Sequence, residues 1–437
     1  MDVRVIAGWV LLLSAALVLA SLQAISTRDL FFLLGFAAVA LGWIFVVTQQ
    51  LARAPHLSPE LAAPIWKQAS SILGEELDGS ISIARNQPFF SAGSQLACFS
   101  SMLCGFLLGR NRRAAHLLLI SFLASALAYS MYGIFAVAFW PNYLLWHQKY
   151  NYLNALTATF VNPNVAAAYF GAASLGWILV FANSNKARLL ERRRSWRELI
   201  NSLLPAHSQR TMIYLLACFV MLATTFMTGS RAGSVLSLLA IAGALGTHYR
   251  QELRQRRLLL LFPIAASSTI LVAISIFAPR VSQRFGLQGF FDAGRWNAYQ
   301  SAIRIIRDYP WLGTGLGTFR WGFPAYRSGD IPSYGIWEQA HNTTLELAVE
   351  MGAPFTAMVS AAWIAVLVVL GRGMLSRKRD AILPTVAFWT GLLAITHSQV
   401  DFPLQIPGLS LAVCPLVGMG LAQSVSSRAK LLRLTSN

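Results

Sequence analysis

Apolar residues run in long blocks along almost the whole chain, parted by shorter polar and basic connections. Eleven blocks approach or exceed the length needed to cross a hydrocarbon core of about 30 Å: residues 4–24, 30–49, 91–109, 114–138, 163–182, 211–228, 232–248, 258–277, 342–370, 382–398 and 405–424. Lipid offers no water to a backbone, so such blocks predict helices; they are too long and continuous for barrel strands. The expected fold is all-α, a polytopic transmembrane helical bundle of about 11–12 spans. It is read as a single integral membrane domain, residues 1–437, with one large, partly helical polar loop at 278–341 between two late spans. Within that loop Trp296, Tyr299, Ile303 and Ile306 share one side at helical spacing, which predicts a short amphipathic helix ended by Pro310.

Composition excludes a soluble globule: 56% of residues are hydrophobic, only 12% are charged, and the mean hydropathy is +0.54. The net charge of +18 is spread over connections and does not form a nucleic-acid surface. Arg110, Arg112 and Arg113, the stretch from Lys186 to Arg210, Arg250 to Arg257, Arg372 to Arg379, and Arg428, Lys430 and Arg433 alternate so as to share one face. The positive-inside rule makes that face cytoplasmic. The opposite face then receives residues 50–90 and 139–162, the Ser230–Arg231 turn, the polar loop and the turn at Asp401. The first block has a weak n-region and no cleavage pattern, as expected of a retained anchor. All four cysteines lie in apolar blocks, which argues against a disulfide framework, and the histidines lack metal-ligand spacing.

The polar loop carries the candidate chemistry. Between Pro279 and Ala340 stand seven arginines and no lysine, and His341 follows at the foot of the next apolar block. Arginine holds phosphate oxygens bidentately and keeps its charge, so the loop suits a phosphorylated substrate. A solvated basic loop against anionic lipid heads is the alternative. Gly313-Thr314-Gly315-Leu316-Gly317 lacks a surrounding strand–helix–strand unit and is expected to be a tight turn rather than an anion cradle. Asn162 and Asn164 flank Pro163 at a helix start, where amides either meet sugar hydroxyls or cap the helix. Glu346 and Glu350, on a helix beginning at His341, would lie about 140° and 180° around from it and are expected to satisfy buried polar groups. Glu338 is the candidate for orienting His341, and Asp401 for pairing with a loop arginine. Trp140, Tyr143, Trp146, Tyr150 and Tyr152 suit a membrane-interface belt, with sugar stacking as the alternative.

Several strings together resemble the O-antigen ligase and O-antigen polymerase family. They are the run from His341-Asn342-Thr343-Thr344-Leu345-Glu346 to Gly352, and Gly229-Ser230-Arg231-Ala232-Gly233 opening a helix. Gly294-Arg295-Trp296 with Tyr309-Pro310-Trp311-Leu312-Gly313, Phe160-Val161-Asn162-Pro163-Asn164, and Val400-Asp401-Phe402-Pro403 also fit. The resemblance covers roughly residues 155–410, although the family's ligases usually have twelve spans with both ends cytoplasmic. It implies an inverting membrane glycosyltransferase of the bacterial inner membrane, with its active site facing the periplasm. A glycan would pass from an undecaprenyl diphosphate carrier to an acceptor sugar hydroxyl without cofactor, metal or nucleic acid. An O-antigen ligase acting on lipid A–core in lipopolysaccharide biosynthesis is the expected member; a polymerase using the same donor is the alternative. A lipid-linked glycan flippase is disfavoured, because the chain lacks repeat symmetry and its charges gather on one outer face. By resemblance Arg231 and Arg295 neutralise the leaving diphosphate and His341 is the base. Arg304, Asn162, Asn164 and Glu338 are expected to touch substrate.

Overall fold

The computed structural model describes residues 3–21, 26–53, 59–153, 155–189, 209–251, 293–329, 331, 337–377 and 380–425. The apolar block at 258–277, Arg280, Arg284, the larger part of the 186–210 and 250–257 connections, and the tail with Arg428, Lys430 and Arg433 lie outside the described residues.

Every other apolar block is helical. The helices are α1 (Val3–Ser21), α2 (Thr27–Leu51), α3 (Pro64–Leu73), α4 (Gln87–Gly109), α5 (Arg112–Phe139), α6 (Pro163–Leu189) and α7 (Gln209–Met227). They continue as α8 (Arg231–His248), α9 (Ala293–Asp308), α10 (Phe319–Tyr326), α11 (Thr343–Met351), α12 (Ala353–Ser376), α13 (Ile382–His397) and α14 (Pro407–Val425). A small antiparallel hairpin, β1 (Tyr143–Leu144) with β2 (His147–Gln148), follows α5. Among the described residues seven helices (α2, α4, α5, α6, α7, α12 and α14) are long and apolar enough to cross a membrane. The chain is an all-α polytopic membrane protein.

Two expectations are corrected in detail. The block at 342–370 is not one helix: Gly352, with φ 82°, separates α11 from α12. A Cβ at that position would stand 2.1 Å from the Trp311 carbonyl oxygen, so the backbone of the preceding loop occupies the place where a continuous helix would carry a side chain. In α9 the buried face is not that of Trp296, which is half exposed, but that of Ala298, Ser301, Ala302 and Ile305. Small residues let the helix approach its neighbours closely, and the larger side chains flank the contact.

The described chain forms two compact units, each assembled from separate stretches of sequence. One unit holds α1 to α4 as far as Cys104, α9 to α12 as far as Val366, and the strip Ser398–Pro407. Its core joins Ala298, Ala302 and Ile305 of α9 to Phe319 and Phe323 of α10, Ala340, and Val349 of α11. Beside it Val46 and Val47 of α2 pack with Leu316, Met351 and Phe355. The other unit is centred on α6, where Val165, Ala166, Ala167, Phe170 and Leu175 are fully enclosed. Small residues again allow close approach: a Cβ on Gly171 would fall 1.9 Å from Ser237 Oγ of α8. Trp177 Nε1 of α6 donates to the Leu123 carbonyl of α5 at 3.2 Å, and Trp389 Nε1 of α13 to Thr247 Oγ1 at 3.0 Å.

Candidate functional site

In the first unit the chain turns sharply between Ala340, enclosed in the core, and Asn342, which caps α11. Asn342 has extended backbone (φ −153°), and its Oδ1 accepts from the Leu345 N–H at 3.0 Å, a normal N-cap. The reversal falls on His341, whose φ is 55°. A residue with a Cβ pays about 1 kcal/mol or more for left-handed backbone, so the surroundings must hold it there. They do so from four directions. Tyr299 Oη donates to the His341 carbonyl at 2.9 Å, and the Ala340 N–H donates to the Glu346 carboxylate at 2.6 Å. Asn342 Nδ2 donates to the Gln399 carbonyl at 2.9 Å, and the Thr343 N–H to the Ser398 carbonyl at 2.8 Å.

The half-buried imidazole meets Trp337 and Phe402 edge-on, with ring centroids 5.4 and 5.1 Å away. Its Nδ1 lies 3.2 Å from the Gln339 carbonyl oxygen. A carbonyl only accepts, so in the neutral ring the proton sits on Nδ1 and the lone pair on Nε2. Glu338, the sequence candidate for orienting the ring, is exposed, and it is the carbonyl of the next residue, Gln339, that stands beside Nδ1.

Arg295, in the first turn of α9, reaches the same strip of chain. Its guanidinium stands 3.6 Å from the Asp401 carboxylate and donates to the Val400 carbonyl. Asp401 is 1% exposed and also accepts from the Phe402 N–H at 2.9 Å. Two consecutive residues therefore serve two candidate groups: Asp401 holds Arg295, and Phe402 packs against His341.

The two glutamates of α11 brace the backbone, as expected, but on two different segments. Glu346 accepts from the Ala340 N–H and the Gln405 side chain, immediately beside His341. Glu350 accepts from the N–H groups of Gly317 and Phe319, the latter at 3.0 Å, at the start of α10. Burial pushes both carboxyls up: Glu346 well above the usual range, with the nearby Glu350 charge adding to the effect, and Glu350 to about 7. The glycine-rich turn spends its amides on the same helix. Thr314 N–H donates to Val349 O at 2.8 Å, and Gly315 N–H to Glu350 O at 3.1 Å. Leu316 N–H donates to Gln50 Oε1 at 2.9 Å. Gly313 has φ 69°, and a Cβ there would lie 2.3 Å from the Glu350 carbonyl carbon. The turn is a structural latch, and the amides of Thr314, Gly315, Leu316 and Gly317 are engaged within the protein.

The remaining candidates have these places. Arg304 is exposed and ties α9 to the end of α10, with Nη2 donating to Tyr326 O at 2.6 Å and to Ser301 Oγ at 3.1 Å. Asn162, in the second unit, caps α6: its Oδ1 accepts from the Asn164 N–H at 2.7 Å. Arg231 is the first residue of α8, whose cap Ser230 accepts from the Gly233 N–H at 3.1 Å. A Cβ on Gly233 would come within 2.4 Å of Ala167 Cβ, so the starts of α6 and α8 lie side by side. Tyr299, Gln339 and Gln50 were not legible as parts of this arrangement, because each acts on a residue far along the chain or through its main-chain carbonyl. For Gln50 the one available signal was a strongly polar residue at the end of an apolar block.

A multi-span helical membrane protein with an aromatic-packed histidine and a carboxylate-held arginine on one strip is the class that the fold and site define. Residues 216–360 match the family model described as O-antigen ligase, which supports the resemblance to that family over this part of the chain. The match contains Arg231, Arg295, Arg304, Glu338 and His341. It is narrower than the 155–410 span of the sequence motifs and leaves Asn162, Asn164 and Asp401 outside. No curated protein matches the chain.

Proposed function

We propose that the chain is an inverting, metal-independent glycosyltransferase that moves a glycan from undecaprenyl diphosphate to an acceptor sugar hydroxyl, acting as an O-antigen ligase on lipid A–core. Its place would be the bacterial inner membrane, with the site on the periplasmic face. The observation that carries this reading is the strip at Asp401 and Phe402, which sets a guanidinium and an imidazole on adjacent residues. In the proposed step the acceptor hydroxyl loses its proton to His341 Nε2 as its oxygen attacks the anomeric carbon. The bond from that carbon to the diphosphate breaks, and its electron pair leaves on the phosphate oxygen. Arg295 and Arg231 supply countercharge. Arg231 is supported in this role by the adjoining starts of α6 and α8, whose helix ends add positive potential. General-base assistance of this kind is worth about 10²–10⁴-fold.

Protein in nanodiscs, given a synthetic lipid diphosphate glycan and a lipid A–core acceptor, should transfer the glycan with inversion at the anomeric carbon. Retention of configuration would overturn the single-displacement step. In cells, a deletion strain should accumulate unattached long chains on the lipid carrier. A single repeat unit left on the lipid core would instead assign the chain to polymerisation.

A further inference from the structure

The segment joining α5 to α6 in the second unit exposes an unusual number of large apolar side chains. Trp140, Tyr143, Leu145, Trp146 and Tyr150 all face outward, Trp146 at 77% and Tyr150 at 82%. Leu145 and Trp146 form the two-residue turn between β1 and β2, and Leu145 takes φ 56°. Such turns favour Asn-Gly or a similar pair; a leucine there is strained by about 1 kcal/mol or more. In water the hairpin would bear that strain in order to expose leucine and tryptophan, two unfavourable choices at once.

Its position on α5 accounts for both. The Leu145 N–H donates to Tyr132 Oη at 2.7 Å, and Tyr132 stands seven residues before the end of α5. Seven residues of helix are about 10 Å, so the tip folds back along α5 instead of projecting beyond it. At 28 residues α5 is about 42 Å long, and its excess over a core of about 30 Å leaves about 6 Å at each end. Tyr132, about 10 Å from that end, then lies about 4 Å to the core side of the hydrocarbon boundary. On the same helix Met131, Phe135 and Phe139 recur at helical spacing, all exposed, and Trp140 continues the stripe by stacking edge-on against Phe135 at 5.2 Å. The hairpin is continuous with the lipid-facing side of a span.

We propose that the hairpin at residues 143–148 inserts its Leu145–Trp146 tip into the headgroup–acyl boundary of the leaflet at the C-terminal end of α5. Phospholipid is the partner. Tryptophan and tyrosine suit this boundary, and a leucine at the tip offers a sugar ring neither a hydrogen bond nor an aromatic face. Lys149 Nζ, donating to the Ala155 carbonyl at 3.2 Å, joins the hairpin to the stretch that leads to Asn162, so lipid contact would set the depth at which α6 begins. The proposal rests on α5 being a span and is independent of the glycosyl-transfer reading.

The test uses the full chain labelled with 5-fluorotryptophan in phosphatidylethanolamine–phosphatidylglycerol nanodiscs. The Trp146 fluorine resonance is assigned by its disappearance in Trp146→Phe. A 5-doxyl phospholipid should broaden that resonance beyond detection, and a water-soluble gadolinium chelate should leave it unchanged. Should Trp146→Phe fail to fold, 3-fluorotyrosine with Tyr150→Phe gives a second probe on the same segment. Broadening by the chelate without an effect of the doxyl lipid would overturn the proposal. So would shielding from the chelate that requires an added oligosaccharide, which would assign the hairpin to glycan stacking.

Discussion

Two turns with left-handed backbone are braced by the same short helix from glutamates one helical turn apart, and their left-handed positions are occupied by opposite kinds of residue. Glu350 of α11 holds the turn at Gly313–Gly317, where glycine takes positive φ freely and the backbone amides are the working groups. Glu346 holds the turn at Ala340–Asn342, where histidine takes φ 55° against its own Cβ. If the second turn were only structural, glycine would serve it better. That a strained imidazole stands there argues that the side chain, and not the bend, is what this turn presents.

The largest expected effects break the comparison at the histidine. His341→Ala should lower transfer in nanodiscs by about 10²–10⁴-fold while leaving the melting temperature close to wild type. His341→Gly should lose as much activity and melt higher, by the strain of about 1 kcal/mol that glycine removes. A glycine variant that keeps its activity would make the turn structural, like its counterpart. Next come the arginines. Arg295→Lys and Arg231→Lys keep a charge but lose the two-pronged grip on phosphate, and both should fall severely in kcat. Arg327→Lys should be mild, since the Arg327 Nε contact is a single bond to the Ile331 carbonyl at 3.3 Å. Equal tolerance at all three would point to a diffuse basic surface.

Glu346 separates positioning from catalysis. Glu346→Ala leaves the Ala340 N–H buried without its acceptor, a cost of about 1–3 kcal/mol, and should lower kcat more than it raises KM. Glu346→Gln keeps an acceptor oxygen and should recover most of that loss; an equal loss in both variants would remove the positioning role. At the other turn, Gly313→Ala should destabilise without lowering the kcat of the folded fraction. Glu350 supplies a pH signature. Its folded pKa, about 7, lies above the ordinary 4.5, so the folded state binds the proton more tightly. The stability from this group is present at low pH and is lost as pH rises from about 4.5 through 7. Glu350→Gln, which resembles the protonated form, should flatten that slope in thermal melts across the same range. Activity should run the other way and rise with pH as His341 loses its proton. The smallest expected effect is that of chelator: activity should survive EDTA, and a loss restored by Mg²⁺ or Mn²⁺ would overturn metal independence.

The linear order of apolar and polar residues was enough for the helices and for the class, because lipid leaves a spanning backbone no alternative to helix. It also marked His341, Arg231 and Arg295 at helix starts, since caps and charges near element ends are local features. Folding decided the rest, for one recurring reason: each deciding contact joins residues that no local period relates. Arg295 finds Asp401 and Val400 more than a hundred positions away, and Tyr299 finds the His341 carbonyl. The Trp311 backbone breaks the apolar block at Gly352. Helical projection placed Glu346 and Glu350 away from His341 on a common helix. In the structure His341 lies before the cap of α11 with left-handed backbone, so that projection does not apply to it. The buried side of α9 followed closeness of approach and not hydrophobicity, because alanines admit a neighbouring backbone where tryptophan cannot. Periodicity identifies which residues share a face; only packing selects the face that is covered.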